Sequence, residues 1–143
     1  MASVSESAEL PAPVEKTWAV ISDPQQFGAW VDNHEGFVGE APTSFAPGTV
    51  FGQRVNVMGM PADVSWTVED VQAGRSLALK GSGPMGIGLH ASYLLEPSAT
   101  GTTMTATLDF SGAAVMAVGS MLEKQMGEML QTSLGRLQTL VAG

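Results

Sequence analysis

Cysteine is absent from this 143-residue chain, which excludes disulfides, thiolate nucleophiles and thiolate metal sites together. Positive charge is scarce: six Lys/Arg stand against fourteen Asp/Glu, for a net charge of −8. The six cations, Lys16, Arg54, Arg75, Lys80, Lys124 and Arg136, are scattered along the chain. Nucleic-acid binders need clustered cations to replace phosphate counterions, so no nucleic-acid partner is expected. Anionic membrane surfaces should repel the chain for the same reason. No run of eighteen or more uncharged apolar residues occurs, and no membrane insertion is expected. The opening MASVSESAELP lacks the basic region and apolar stretch of a secretory signal. A cytoplasmic location is the expectation.

Several chemical signatures are missing as well. There is no G-K-[ST] for a phosphate loop and no G-x-S-x-G for an acyl-transfer serine. The two histidines, His34 and His90, are far apart and form no H-x-x-x-H, so neither a metal site nor a cofactor is expected. One motif is present in letter only. GSGPMG, residues 81–86, matches G-x-G-x-x-G, but Pro84 sits inside it and the residues after it alternate as a strand. A dinucleotide fold needs that motif to open a helix. A glycine-rich hairpin turn is the reading, with Gly86 and Gly88 marking a bulge or a place where a neighbour needs room.

What is present patterns well. The length suits a single domain spanning 1–143. Val4, Glu6, Ala8 and Leu10 alternate with serines and Glu9, predicting a first strand that Pro11 and Pro13 stop. Val14, Trp18 and Ile21 recur at helical spacing and predict a short helix with that face buried. Asp23-Pro24 suits the start of a second short helix, with Asp23 as cap, and Phe27, Trp30 and Val31 form its apolar side. From 33 to 111 the chain reads as about six strands: Phe37-Val38, 50–57, Val64/Trp66/Val68, Leu77/Leu79, Ile87 to Leu95, and the threonine-rich TTMTATLDF at 102–110. TSFAPG (43–48) is a loop, and Gly59-Met60-Pro61, Ala73-Gly74-Arg75 and Ser98 to Gly101 are turns. From about Ala113 to Val141, Ala114, Val118, Leu122, Met126, Met129/Leu130, Leu134, Leu137 and Val141 recur every three or four residues. That predicts one long amphipathic helix. The order predicts an α+β fold: a curved antiparallel sheet of about seven strands wrapped around a long C-terminal helix, with two short helices after strand 1.

Nine methionines in so small a chain suit a plastic core, and also a cavity adaptable to apolar ligands. The predicted lining is Phe27, Trp30, Met58, Met60, Trp66, Leu89, Phe110, Met126 and Met129. Groups able to do chemistry there are few: His34, Arg54, His90 and Asp109 are the candidates. His34 and Glu35 are neighbours in a strand and point to opposite faces. The face of His90 is left open by alternation. Arg54, if inward, needs Asp109, Glu69, Glu6 or an anionic ligand; if outward, it is ordinary surface charge.

Three features resemble a known group: VSESAELPAPVEKTWAVISDPQQFGAWV (4–31), GMPADVSWTVEDVQAGRSLAL (59–79) and the final helix. Together they resemble the START-related, Bet v 1-like helix-grip superfamily, in particular its bacterial polyketide cyclase/dehydrase and lipid-transport members. HEGF and MGMPADVSW are similar to small actinobacterial members, some described as toxins of toxin–antitoxin pairs. The resemblance implies a cavity between sheet and long helix that binds or transports a lipid- or polyketide-like molecule. It implies no shared catalytic residues. A cyclase or dehydratase, and a toxin-like regulator acting through a protein partner, are the alternatives. Monomer and homodimer both fit.

Overall fold

A computed structural model describes residues 2–57 and 59–142 of the chain. Seven antiparallel strands form one sheet: β1 (Ala2–Leu10), β2 (His34–Val38), β3 (Val50–Val57), β4 (Met60–Gln72), β5 (Ser76–Ser82), β6 (Gly88–Ser98) and β7 (Gly101–Ser111). Their order across the sheet is β1-β7-β6-β5-β4-β3-β2. Consecutive strands from β2 to β7 are therefore neighbours, joined by short turns except for the loop of residues 39–49 between β2 and β3. The first strand breaks this order, pairing with the last. The chain must then cross from the β1 edge to the β2 edge. The helices α1 (Val14–Ile21) and α2 (Phe27–Trp30), with a 3-10 turn at Pro24–Gln26 between them, make that crossing. Asp23 caps the turn by accepting from the Gln25 N–H at 3.0 Å, and Pro24 occupies the position where no N–H is needed.

The sheet is curved, and its pairing shows where. The register slips between His34 and Gly36 on β2 and between Val68 and Asp70 on β4. An extra residue in one strand bends it and increases the local twist. Inside the curve lies the long helix α3 (Ala113–Ala142), seated chiefly along β1. Gly127 permits this close approach: a Cβ there would stand 3.3 Å from Val4 Cγ2.

Three expectations need correction. Val118 does not face the core: it is 42% exposed, and Val115 is buried instead. The helix departs from helical geometry at Val118 (φ −128°, ψ 16°), so the stripe before the break is out of phase with the stripe after it. Gly119 and Ser120 follow at once, a pair that commonly marks a kink. The Ala114 side chain lies outside the described residues. In α1 the buried positions are Thr17, Val20 and Ile21, while Val14 and Trp18 are only half-buried. Thr17 tolerates full burial because its hydroxyl donates to the Pro13 carbonyl. Finally, Met60 and Pro61 belong to β4, paired with Val57 and Asn56, so the turn is tighter than the sequence reading. Gly59 allows it with φ +84°, its N–H donating to Asn56 Oδ1 at 2.9 Å.

Candidate functional site: an apolar cavity under the long helix

The two faces of the sheet have opposite chemistry. Along β4, Val64, Trp66 and Val68 face inward; along β6, Ala91, Tyr93 and Leu95 do; along β7, Met104, Ala106, Leu108 and Phe110 do. α3 presents Leu122, Met126, Leu130, Leu134, Leu137 and Val141 to them. The two surfaces do not meet everywhere. Between α3 and strands β3 to β7 lies a cavity of about 210 Å³. Phe27 and Trp30 of α2 line it, as do Pro84 and Ile87 from the β5–β6 turn. No charged side chain lines it among the described residues.

Of the residues predicted for the lining, Phe27, Trp30, Trp66, Leu89, Phe110, Met126 and Met129 line this cavity. Met58 lies outside the described residues. Met60 is a correction: it is 70% exposed and no part of the lining. It shares the face of Ala62 and Val64, but it is the first residue of β4, beside the hairpin turn, where that face runs out past the cavity wall.

An open polar groove adjoins the cavity, formed by Asp32, His34, Glu35, Asn56 and, on α3, Gln125, Glu128 and Thr132. Asn33, Met126 and Met129 border both spaces and so stand at their junction. The segment forming the groove is tied down to α3. Ser133 Oγ accepts from the Asp32 N–H at 2.9 Å and donates to the Met129 carbonyl, while Asp32 pairs with Arg136 at 2.9 Å.

One buried polar chain links cavity to groove. Trp66 Nε1–H donates to Gln53 Oε1 at 2.9 Å. An indole nitrogen only donates, so this bond fixes the amide and turns Gln53 Nε2 toward His34 Nδ1, 2.8 Å away. An amide nitrogen only donates as well. Nδ1 is therefore the acceptor, and the ring proton sits on Nε2. The imidazole packs edge-on against Phe27 and Phe37, with centroids 5.4 and 4.9 Å away. Burial holds the His34 pKa below the ordinary histidine value. Protonating Nδ1 would also set two donors against each other, so both effects favour the neutral ring.

Gly81, the first glycine of GSGPMG, makes this arrangement possible. It lies directly opposite Trp66 across β4 and β5, and a Cβ there would stand 2.6 Å from Trp66 Cε3. Gly88 leaves room for the Ser111 hydroxyl in the same way, and Gly86 turns the hairpin with φ +74°. The motif serves packing and turning.

The other polar candidates sit elsewhere. Arg54 points outward and grips Asp63, its cross-strand neighbour, by two bonds of 2.9 and 3.3 Å; Asp109, Glu69 and Glu6 are not its partners. His90 is also outside, with Nε2 3.0 Å from Glu69 and Nδ1 3.9 Å from Asp109. Asp109 accepts from Ser3 Oγ on the same outer surface. Three of the four candidate groups are thus separated from the cavity by the sheet itself. His34 alone is near it, one amide removed from the lining.

A curved sheet gripping a long helix over an apolar cavity defines a helix-grip protein. The chain belongs to the family described as polyketide cyclase / dehydrase and lipid transport, whose profile matches residues 1–142. Toxin Rv0910 of Mycobacterium tuberculosis is 26% identical over 144 residues, covering 100% of both chains. Protein Rv1546 of the same organism is 28% identical over 141 residues, covering 98% of this chain and 99% of its own. Among solved structures, a START superfamily protein from Mycobacterium smegmatis superimposes with a TM-score of 0.80 at 18% identity, covering 99% of this chain and 97% of that one. Protein CV1439 from Chromobacterium violaceum gives 0.78 at 16% identity, covering 100% and 99%. At such identities these structures speak for the fold.

Proposed function

We propose that this protein binds an apolar small molecule in the cavity beneath α3. One observation carries the reading: a partly open space walled mainly by aliphatic and aromatic side chains, with no charged group among the described residues, beside a polar groove. A cyclase or dehydratase is less well supported, because acid–base chemistry needs a titratable group within hydrogen-bond reach of the substrate. Among the described residues Tyr93 is the one ionisable side chain in the lining, and burial pushes its pKa up to about 12. The test is native mass spectrometry of freshly purified protein, followed by organic extraction and a titration with 2-isopropylnaphthalene. A co-purifying mass, or saturable binding of the probe, is expected. A clean protein mass together with no probe binding overturns the reading.

A second reading concerns the role in the cell rather than the molecular event, and the relatives support it more directly than they support any ligand. A protein named as a toxin aligns with this chain from end to end. On that ground we propose, as the alternative, a toxin-like regulator acting through a protein partner. Induced expression should then arrest growth of a mycobacterial host, and co-expression of the neighbouring gene's product should restore it. Unimpaired growth at high expression removes this reading and leaves the first intact.

A further inference from the structure

The polar groups in the lining are not equally satisfied, and the unsatisfied ones specify a ligand. Trp66 and Gln53 bond each other, and Ser133 is bonded on both sides. Tyr93 differs. It lines the cavity from the middle of β6, and its hydroxyl makes no hydrogen bond to any described residue. Beside it is Trp30, its ring centroid 5.5 Å from that of Tyr93 and the planes at 75°. The Trp30 indole N–H is buried and has no partner either. Buried polar groups are nearly always bonded, and an exception calls for an explanation. Trp30 can only donate, and its nitrogen is sealed off from the cavity, so the donor that a bound molecule can reach is the Tyr93 hydroxyl.

We infer that the cavity takes a neutral, largely apolar molecule carrying one hydrogen-bond-accepting oxygen, such as a ketone or quinone carbonyl, held by the Tyr93 hydroxyl. The inference rests on the ligand-binding reading above and narrows it. Neutrality follows from the lining: an ionised ligand would leave water and find no opposite charge. The Tyr93 hydroxyl keeps its proton across the physiological range and so is available as a donor. Size sets the rest. The cavity of about 210 Å³ exceeds the ~150 Å³ that admits a single benzene ring. It falls below the roughly 300 Å³ at which pockets for larger ligands begin. Two fused rings with a short substituent match that interval.

Isothermal titration calorimetry with three probes of one shape separates the terms: 2-acetylnaphthalene, 2-isopropylnaphthalene and 2-naphthoate. Each is titrated into the wild type and Tyr93→Phe. The variant should fold normally, since it deletes a hydroxyl that bonds to no described residue. It should weaken the ketone roughly three- to tenfold while shifting the alkyl probe less than about twofold. The carboxylate should bind about tenfold or more weakly than the ketone. Equal effects of Tyr93→Phe on ketone and alkyl probe overturn the inference while the binding reading stands. So does naphthoate binding as tight as the ketone's. If none of the three binds the folded wild type, the binding reading fails and the inference goes with it.

Discussion

The two histidines of this chain sit in strands of the same sheet, yet their surroundings have little in common. His34 is half-buried between Phe27 and Phe37, its Nδ1 committed to Gln53 and its pKa lowered by burial. His90 lies on the opposite surface, its side chain 40% exposed, with Glu69 and Asp109 on either side. The strands around them repeat the contrast. On the outer surface Ser5 and Ser7 of β1 meet Thr107 and Thr105 of β7 in hydroxyl pairs of 3.1 and 2.9 Å. One position along, on the inner surface, Met104 and Ala106 are almost completely buried. A side-chain period of two puts these environments one residue apart. What a residue can do here is decided by the parity of its position before its chemical type.

If the inner surface holds the molecule together, damage there should cost most. Leu137→Ala empties a fully buried site on α3 and should destabilise by about 2–5 kcal/mol, read as a shift in the urea midpoint. Gly81→Ala tests the same surface from the opposite direction, by adding volume. Its methyl would collide with the Trp66 ring, and overpacking of this kind costs about 1–3 kcal/mol. If Gly81→Ala proves neutral, Trp66 is free to move and the Trp66–Gln53–His34 chain is not rigidly held.

Much of this architecture was legible because the sheet alternates cleanly and the last helix has a regular apolar stripe from Leu122 to Val141. The seven strands, the short helices and the wall residues Phe27, Trp66, Phe110 and Met126 all sit on strong periodic signals. The failures have physical causes. Val118 fits the helical spacing on paper, but the backbone breaks there. Met60 was placed by residue type, whereas its position beside the hairpin turn decides its exposure. Gln53 went unnoticed, although the signal was available. In β3 the inward positions are Phe51, Gln53 and Val55, so a polar residue stands where the alternation demands an apolar one. The same alternation sends Arg54 outward and would have removed it from the cavity. The unpartnered Trp30 N–H and Tyr93 hydroxyl left no trace in the sequence, because satisfaction of a polar group depends on long-range neighbours.

The third contrast appears as a slope with pH. His34 has its folded-state pKa depressed below the ordinary value of 6.5. Below 6.5 the unfolded chain therefore takes up protons at this site before the folded one does. Stability at this site is fully present above pH 6.5 and falls as the pH drops toward the folded-state value. His34→Gln removes the titration while keeping a polar group. Across the range from pH 7.5 to 5.5 the wild type should lose more stability than the variant, the difference isolating His34 from the carboxylates. Parallel curves would mean that the imidazole is as solvated in the folded protein as in the unfolded one.

The smallest effect belongs to the outer surface. Thr105→Ala deletes one hydroxyl from a cross-strand pair whose partner, Ser7, can turn to water. No buried group is stranded, and the β-branched side chain is lost from a solvated face. A change of about 0.2–1 kcal/mol is expected, well below that of Leu137→Ala. Were Thr105→Ala to cost as much as an inner substitution, the hydroxyl ladder between β1 and β7 would be structural in its own right. The first strand pairs only with β7 in the sheet, and α3 rests chiefly on that strand. Loss of the ladder would then reach the helix that roofs the cavity, and the outer surface would control the inner one.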